Sequence, residues 1–152
     1  MKKFKFKYQS LLRVREMEED LTKKDYGEAL GNLQQAEGQR EEILSAIQSA
    51  RDHRHSLQNL PDVTANELQY TEGYVLGSKQ LLLQKEQEIE HLQGIVDEKF
   101  ELFTEAYKQT KIVKKLEENE LKKFKKAYKK LEAKKQDEQN LMRIAGGIKF
   151  GE

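Results

Sequence analysis

Apolar residues in this chain fall into two heptad ladders on either side of its only proline, Pro61. After it, Leu68, Val75, Leu82, Ile89, Val96 and Phe103 recur seven apart, the period of a long helix with one narrow apolar seam. Before it, Ala29, Ala36, Ile43, Ala50 and Leu57 do the same, with Leu33 and Ile47 in companion positions. Pro61 cannot continue a helix and disfavours helical geometry at Leu60. Three residues on, Thr64 and Glu67 have the spacing of a capping box, with Val63 and Leu68 placed as a hydrophobic staple. The pattern predicts a helix over about 10–59 with Ser10 as N-cap, a reversal over about 60–64 and a second helix over about 65–145. Gly146-Gly147 reads as its stop, opening a flexible tail over 146–152.

A fold-back at 61–64 pairs residues whose numbers sum to about 125. Leu57 then meets Leu68, Ala50 meets Val75, Ile43 meets Leu82, Ala36 meets Ile89 and Ala29 meets Val96. Small residues tend to face large ones, which favours dense interlocking. The fold class is all-α: one long antiparallel two-helix coiled coil, a helical hairpin with unequal arms, occupying 1–152 as a single unit. Below Ala29 the apolar positions change phase to Leu11, Val14 and Leu21, which reads as a stutter. Gly27, Gly31, Gly38, Gly73 and Gly77 interrupt the helices. Their G-x-x-x-G spacings read as a small face for close packing or as points of flexibility.

The arms differ in length, about 75 Å against about 120 Å at 1.5 Å per residue. Mirroring about the turn brings Leu12 to Val113 and leaves residues beyond about 115 without a partner strand. That overhang is the most charged stretch: Lys108 to Lys135 contains 12 lysines and 4 glutamates. Leu116, Phe124, Tyr128 and Leu131 mark a sparse apolar stripe along it. A lone helix of this kind is marginally stable and expects a partner, although a solvated lysine-rich helix is the plain alternative. Acidic residues gather elsewhere, in Glu16, Glu18, Glu19 and Asp20 and from Glu86 to Glu105.

Composition agrees with the pattern. Charged and hydrophobic residues each make up 36%, and the net charge is +1, so both signs interleave. This is the signature of long helices rather than of a wide core or of disorder. There is no cysteine, which excludes disulfides and thiolate metal sites. No apolar run suits a signal or a membrane span, so a soluble cytosolic protein is expected. The chemistry of an active site is missing too. His53 and His55 do not share a helical face, Asp52 alone completes no metal set, and no glycine-rich phosphate loop is present. The expectation is a non-enzyme without cofactor or metal.

The start of the chain, "FKYQSLLRVREMEED" from Phe6 to Asp20, resembles the opening signature of the FliJ family, F-x-x-Q-x-L-L-x-x-R-E. Phe6, Gln9, Leu11, Leu12, Arg15 and Glu16 match it. The likeness extends over the whole chain, including the break near residue 60 and the lysine-rich second helix. Stalk proteins of virulence secretion systems share the architecture. The resemblance implies a cytoplasmic protein of the bacterial flagellar type III export apparatus, associated peripherally with the inner membrane and serving motility. It implies a hairpin similar to the rotor stalk of rotary ATPases. One end enters the ring of the hexameric export ATPase, another part contacts the cytosolic domain of the export-gate membrane protein, and export chaperones are escorted. Carried onto this sequence, the ring-binding candidates are Phe6, Gln9, Leu12 and Arg15 with Lys122, Lys123, Phe124, Lys125, Lys126 and Tyr128. The gate-binding candidates are Gln39, Ile43, Tyr70 and Tyr74. Ala46 and Ala50 stand where the family favours an aromatic residue, and the register makes Ile43 a core position.

Two other readings belong to different classes. A nucleic-acid-binding arm would use the lysines with Phe124 and Tyr128, but no arginine lies between Lys108 and Lys135 to give bidentate phosphate contacts. A structural spacer would not need Phe6 and Gln9 ahead of the helix. No nucleic acid is expected among the partners.

Overall fold

The computed structural model describes residues 3–150, with side chains over 3–147. Two helices account for nearly all of it: α1, Gln9–Gln58, and α2, Ala65–Phe150. They pack against each other as a helical hairpin, with no strand among the described residues. The chain divides into a hairpin unit, Asp20–Glu105, and a terminal unit made of the residues up to Glu19 and those from Ala106 onward.

In the hairpin unit the reversal is built as expected. Asn59 and Leu60 donate to the carbonyls of Ser56 and Leu57 at 3.3 and 3.1 Å, closing α1 ahead of Pro61. The Glu67 amide donates to Thr64 Oγ1 at 3.3 Å, so the hydroxyl half of the capping box is formed. Ala29, Leu33 and Val96 are buried together, with Tyr26, Leu30, Ile89, Leu92 and Ile95 around them. Tyr26 also lies against Phe100 and Phe103, at 5.4 and 6.2 Å between ring centres. The Ala29–Val96 layer and an Arg54–Glu72 ion pair both follow the predicted sum of about 125. The seam is more polar than an apolar ladder suggests. Thr71 and Ser78 are buried in it, and the Thr71 hydroxyl donates to the Glu67 carbonyl at 3.0 Å.

The terminal unit keeps the same register. Leu12 and Val113 are buried with Phe6, and the fully buried Thr110 donates its hydroxyl to the carbonyl of Arg15 or Ala106, at 3.0 and 3.1 Å. The expected stutter is absent. The covered positions of α1 continue as 12, 19, 26, 33 and as 15, 22, 29, 36, an unbroken heptad. Arg15, Glu19 and Thr22 occupy it, while Leu11, Val14 and Leu21 are exposed. The seam is therefore carried by polar residues where the apolar ones had suggested a shift of phase.

Four further expectations are corrected. Helix α1 starts one residue before Ser10, because the Leu12 amide donates to the Tyr8 carbonyl at 3.0 Å and makes Tyr8 the capping residue. Helix α2 runs through Gly146 and Gly147 to Phe150. Neither glycine has the positive φ of a left-handed cap, and a helix carries glycine at a cost of about 1 kcal/mol against alanine. Residues 151 and 152 of the expected tail lie outside the described residues. Nor do the other glycines serve close packing: a Cβ at Gly27, Gly31, Gly38, Gly73 or Gly77 would meet nothing within 4 Å.

The overhang is also shorter than expected. Residues 3–8 precede α1 as a non-helical strap, and Phe4 sets its ring against Phe124 at 5.5 Å. Glu117, Glu120, Leu121, Phe124 and Tyr128 are half-buried, the trace of one helical face. Phe4 and Phe6 lie before Ser10, where the helical count began, and carry the cover of α2 on to Phe124. Full exposure begins at Lys129, not near residue 115, and holds for every side chain to Ala145.

Candidate interaction surfaces

The two sets of residues singled out in the sequence fall into different units. The ring-binding candidates lie in the terminal unit and the gate-binding candidates in the hairpin unit. A net charge of +1 conceals the difference between these units. The terminal unit holds 20 Lys and Arg against 10 Asp and Glu, a formal charge of +10. The hairpin unit holds 8 against 17, a formal charge of −9.

Within the terminal unit the candidates have unlike surroundings. Phe6 and Leu12 are buried, so their side chains hold the strap and α1 onto Val113 and leave little surface. Gln9 is exposed; Arg15 is half-buried, pairing with Glu18 at 3.2 Å while its Nε is buried without a hydrogen-bond partner. Phe124 lies against the tilted ring of Phe4 and is stacked on Tyr128 at 6.4 Å between ring centres. The phenol of Tyr128 is bound to Glu132, and this hydrogen bond, with some desolvation, raises its pKa above 10.0. Lys122, Lys123, Lys125 and Lys126 are all exposed. Lys122 pairs with Glu118 at 3.3 Å and Lys123 with Glu120 at 3.8 Å. The hydrogen bond from Lys122, then the nearby charges of Lys115 and Lys122, holds the Glu118 carboxyl below its ordinary 4.5.

The gate-binding candidates separate. Tyr70, 79% exposed, and Tyr74 line an open groove beside the reversal with Ala50, His53, Leu57 and Thr71. The groove is concave and mainly apolar, the form that takes a side chain of another protein. Ile43 is half-buried in the seam, as the register requires, and Gln39 accepts a hydrogen bond from Lys85 at 2.7 Å. Neither lines the groove. His53, set aside as a metal ligand, belongs to this groove instead, and a helical face shared with Ala50 and Leu57 was the available signal.

Among the described residues no group of three or more His, Cys, Asp or Glu is arranged to hold a metal, and no helix is long and apolar enough to cross a membrane. A helical hairpin with one basic and one acidic unit places the chain among coiled-coil proteins. The sequence model of the flagellar FliJ protein family matches residues 4–148, nearly the whole chain. The chain belongs to the FliJ family, whose members are non-catalytic components of the flagellar protein export apparatus and serve motility. No curated protein and no solved structure matches it.

Proposed function

We propose that this chain is the stalk of the flagellar export apparatus: its basic terminal unit enters the export ATPase ring and promotes assembly and hydrolysis, and its hairpin unit meets the export gate. The opposite charges of the two units support this reading above all. A +10 surface is drawn into an acidic or polar ring lumen over about a Debye length, whereas the −9 unit is repelled from the same lumen. Lys122, Lys123, Lys125 and Lys126 carry the ring contact, while Phe6, Leu12 and Phe124 hold the surface that presents them. Tyr70 and Tyr74 carry the gate contact through the groove they line. Export chaperones dock on the exposed remainder in this scheme, and the protein works in the cytoplasm at the flagellar base.

The test is charge reversal of Lys122, Lys123, Lys125 and Lys126 together, followed by pull-down and ATP hydrolysis with the export ATPase of the same organism. Retention and stimulation fall while the far-ultraviolet helix signal persists. Stimulation equal to that by the unchanged protein removes the ring assignment.

A further inference from the structure

The terminal unit carries an apolar flank that its own fold leaves uncovered. Leu11 and Val14 of α1 are 40% and 49% exposed; Ile112 and Leu116 of α2 are 62% and 37% exposed. Leu12 and Val113 are buried together one residue after Leu11 and one residue after Ile112, so all four flank residues sit immediately beside the seam.

The register places them on one side of it. In the hairpin unit Lys85 Nζ binds both Gln39, at 2.7 Å, and Glu88, at 2.6 Å, so Gln39 of α1 and Glu88 of α2 border the same side of the seam. Leu11 lies four heptads before Gln39 and Leu116 four heptads after Glu88. The heptad is unbroken, so Leu11 and Leu116 hold the equivalent positions in the terminal unit, facing across the seam as in an antiparallel coiled coil. Val14 and Ile112 lie three and four residues along their helices, on the same flank. The four form a shallow apolar strip over the junction of two helices. Clustered apolar exposure of this kind marks an interaction site more than scattered leucines do.

Charge selects the occupant. Between Ala106 and Lys126, α2 carries 8 lysines against 3 glutamates. Lys115 and Lys122 both pair with Glu118, at 3.6 and 3.3 Å, so that one carboxylate is shared between two ammonium groups. We infer that the flank formed by Leu11, Val14, Ile112 and Leu116 docks an amphipathic helix of another protein, one with apolar residues at i, i+3, i+4 and i+7 and acidic residues along its margins. Such a helix lies in the furrow between α1 and α2, as helices lie in apolar grooves, and turns the two-helix seam locally into a three-helix one. Its carboxylates meet the lysine rows on α2, and a basic helix is repelled by the same rows. The four apolar residues of the site are not among those assigned to the ATPase ring, and the apolar contact does not depend on that assignment.

A labelled helical peptide with leucines at heptad a and d and glutamates at e and g provides the probe, with a second peptide bearing lysines at e and g. Fluorescence anisotropy of the acidic peptide rises with the full-length protein and weakens as salt is raised, and the basic peptide shows no rise. The charge-neutral pair Val14→Ser with Ile112→Ser weakens binding of the acidic peptide at least about tenfold, with the circular dichroism of the protein unchanged. Binding that survives this pair but is lost on changing Lys129 and Lys130 to Gln overturns the proposal, because lysines alone then hold the peptide. Equal binding of both peptides overturns it too, as does sedimentation showing that a second copy of the chain already covers the flank.

Discussion

Glu118 shows how far single residues are set by their neighbours on α2. Its carboxyl sits between Lys115 and Lys122, and the hydrogen bond from Lys122 is the largest influence lowering its pKa. The ionised form is favoured in the folded helix. Its contribution is therefore present above the ordinary 4.5 and is lost as pH falls through the lowered value. A carboxyl-carbon NMR titration is expected to place the Glu118 midpoint below 4.5, and Lys122→Met is expected to move it upward. The strap gives a second residue-scale test. Phe6 is buried with Leu12 and Val113, whereas Phe4 is half-buried against Phe124. Full truncation of a core phenylalanine costs about 3–5 kcal/mol, so Phe6→Ala, with less well-enclosed neighbours, is expected to cost about 2–3 kcal/mol and Phe4→Ala about half that. Denaturation midpoints that fall equally for the two changes remove this ranking. Residue by residue, the sequence made the seam legible wherever it is apolar. It misled below Ala29, where Arg15, Glu19 and Thr22 are in the seam and Leu11, Val14 and Leu21 are outside. Following the apolar residues meant following the surface there. The polar seam is tolerable because a long helical hairpin is narrow: Arg15 is only partly covered, and Thr110 returns its hydroxyl to backbone carbonyls. Counting one heptad beyond Phe103 reaches Thr110, so extending the ladder regardless of polarity was the missed signal.

At the scale of the element, α1 and α2 are long helices held by a thin seam, and their glycines are unexplained by packing. A Cβ at Gly31 or Gly73 would find open space, and no glycine among the described residues has positive φ. Alanine is then accommodated without strain and removes backbone freedom from the unfolded chain. Gly31→Ala and Gly73→Ala are each expected to stabilise the protein by about 0.5–1 kcal/mol, adding when combined because they lie far apart on different helices. Urea denaturation followed at 222 nm reads the change, and a destabilised double variant would show that a contact is made at these positions after all. The reversal was legible for a different reason: Pro61, Thr64 and Glu67 act through local hydrogen bonds whose spacing is written in sequence. The extent of the overhang was not. The residues that cover α2 toward Phe124 include a non-helical strap ahead of Gln9, which a count begun at the helix leaves out.

For the whole molecule, charge divides more sharply than fold. The terminal unit at +10 and the hairpin unit at −9 leave a chain whose net charge of +1 says almost nothing about what either unit attracts. Sequence reading found the lysine run and the acidic stretches, but their sums required knowing that residues up to Glu19 belong with those from Ala106 onward. Part of the basic unit, from Lys129 to Ala145, has only exposed side chains, so it contributes charge and length with almost no burial. Truncation after Tyr128 separates these contributions. It removes 6 basic and 4 acidic residues, leaving the terminal unit at +8. The helix signal is expected to fall in proportion to the residues removed, with the thermal midpoint moving by no more than about 2–4 °C because little apolar surface is lost. If Lys122, Lys123, Lys125 and Lys126 hold the ATPase ring, the truncated protein still binds it and responds to salt with nearly the same slope. A chain that keeps its midpoint but loses the ATPase places the contact on the exposed end itself, and the lysines before Tyr128 then serve the strap and the flank rather than the ring.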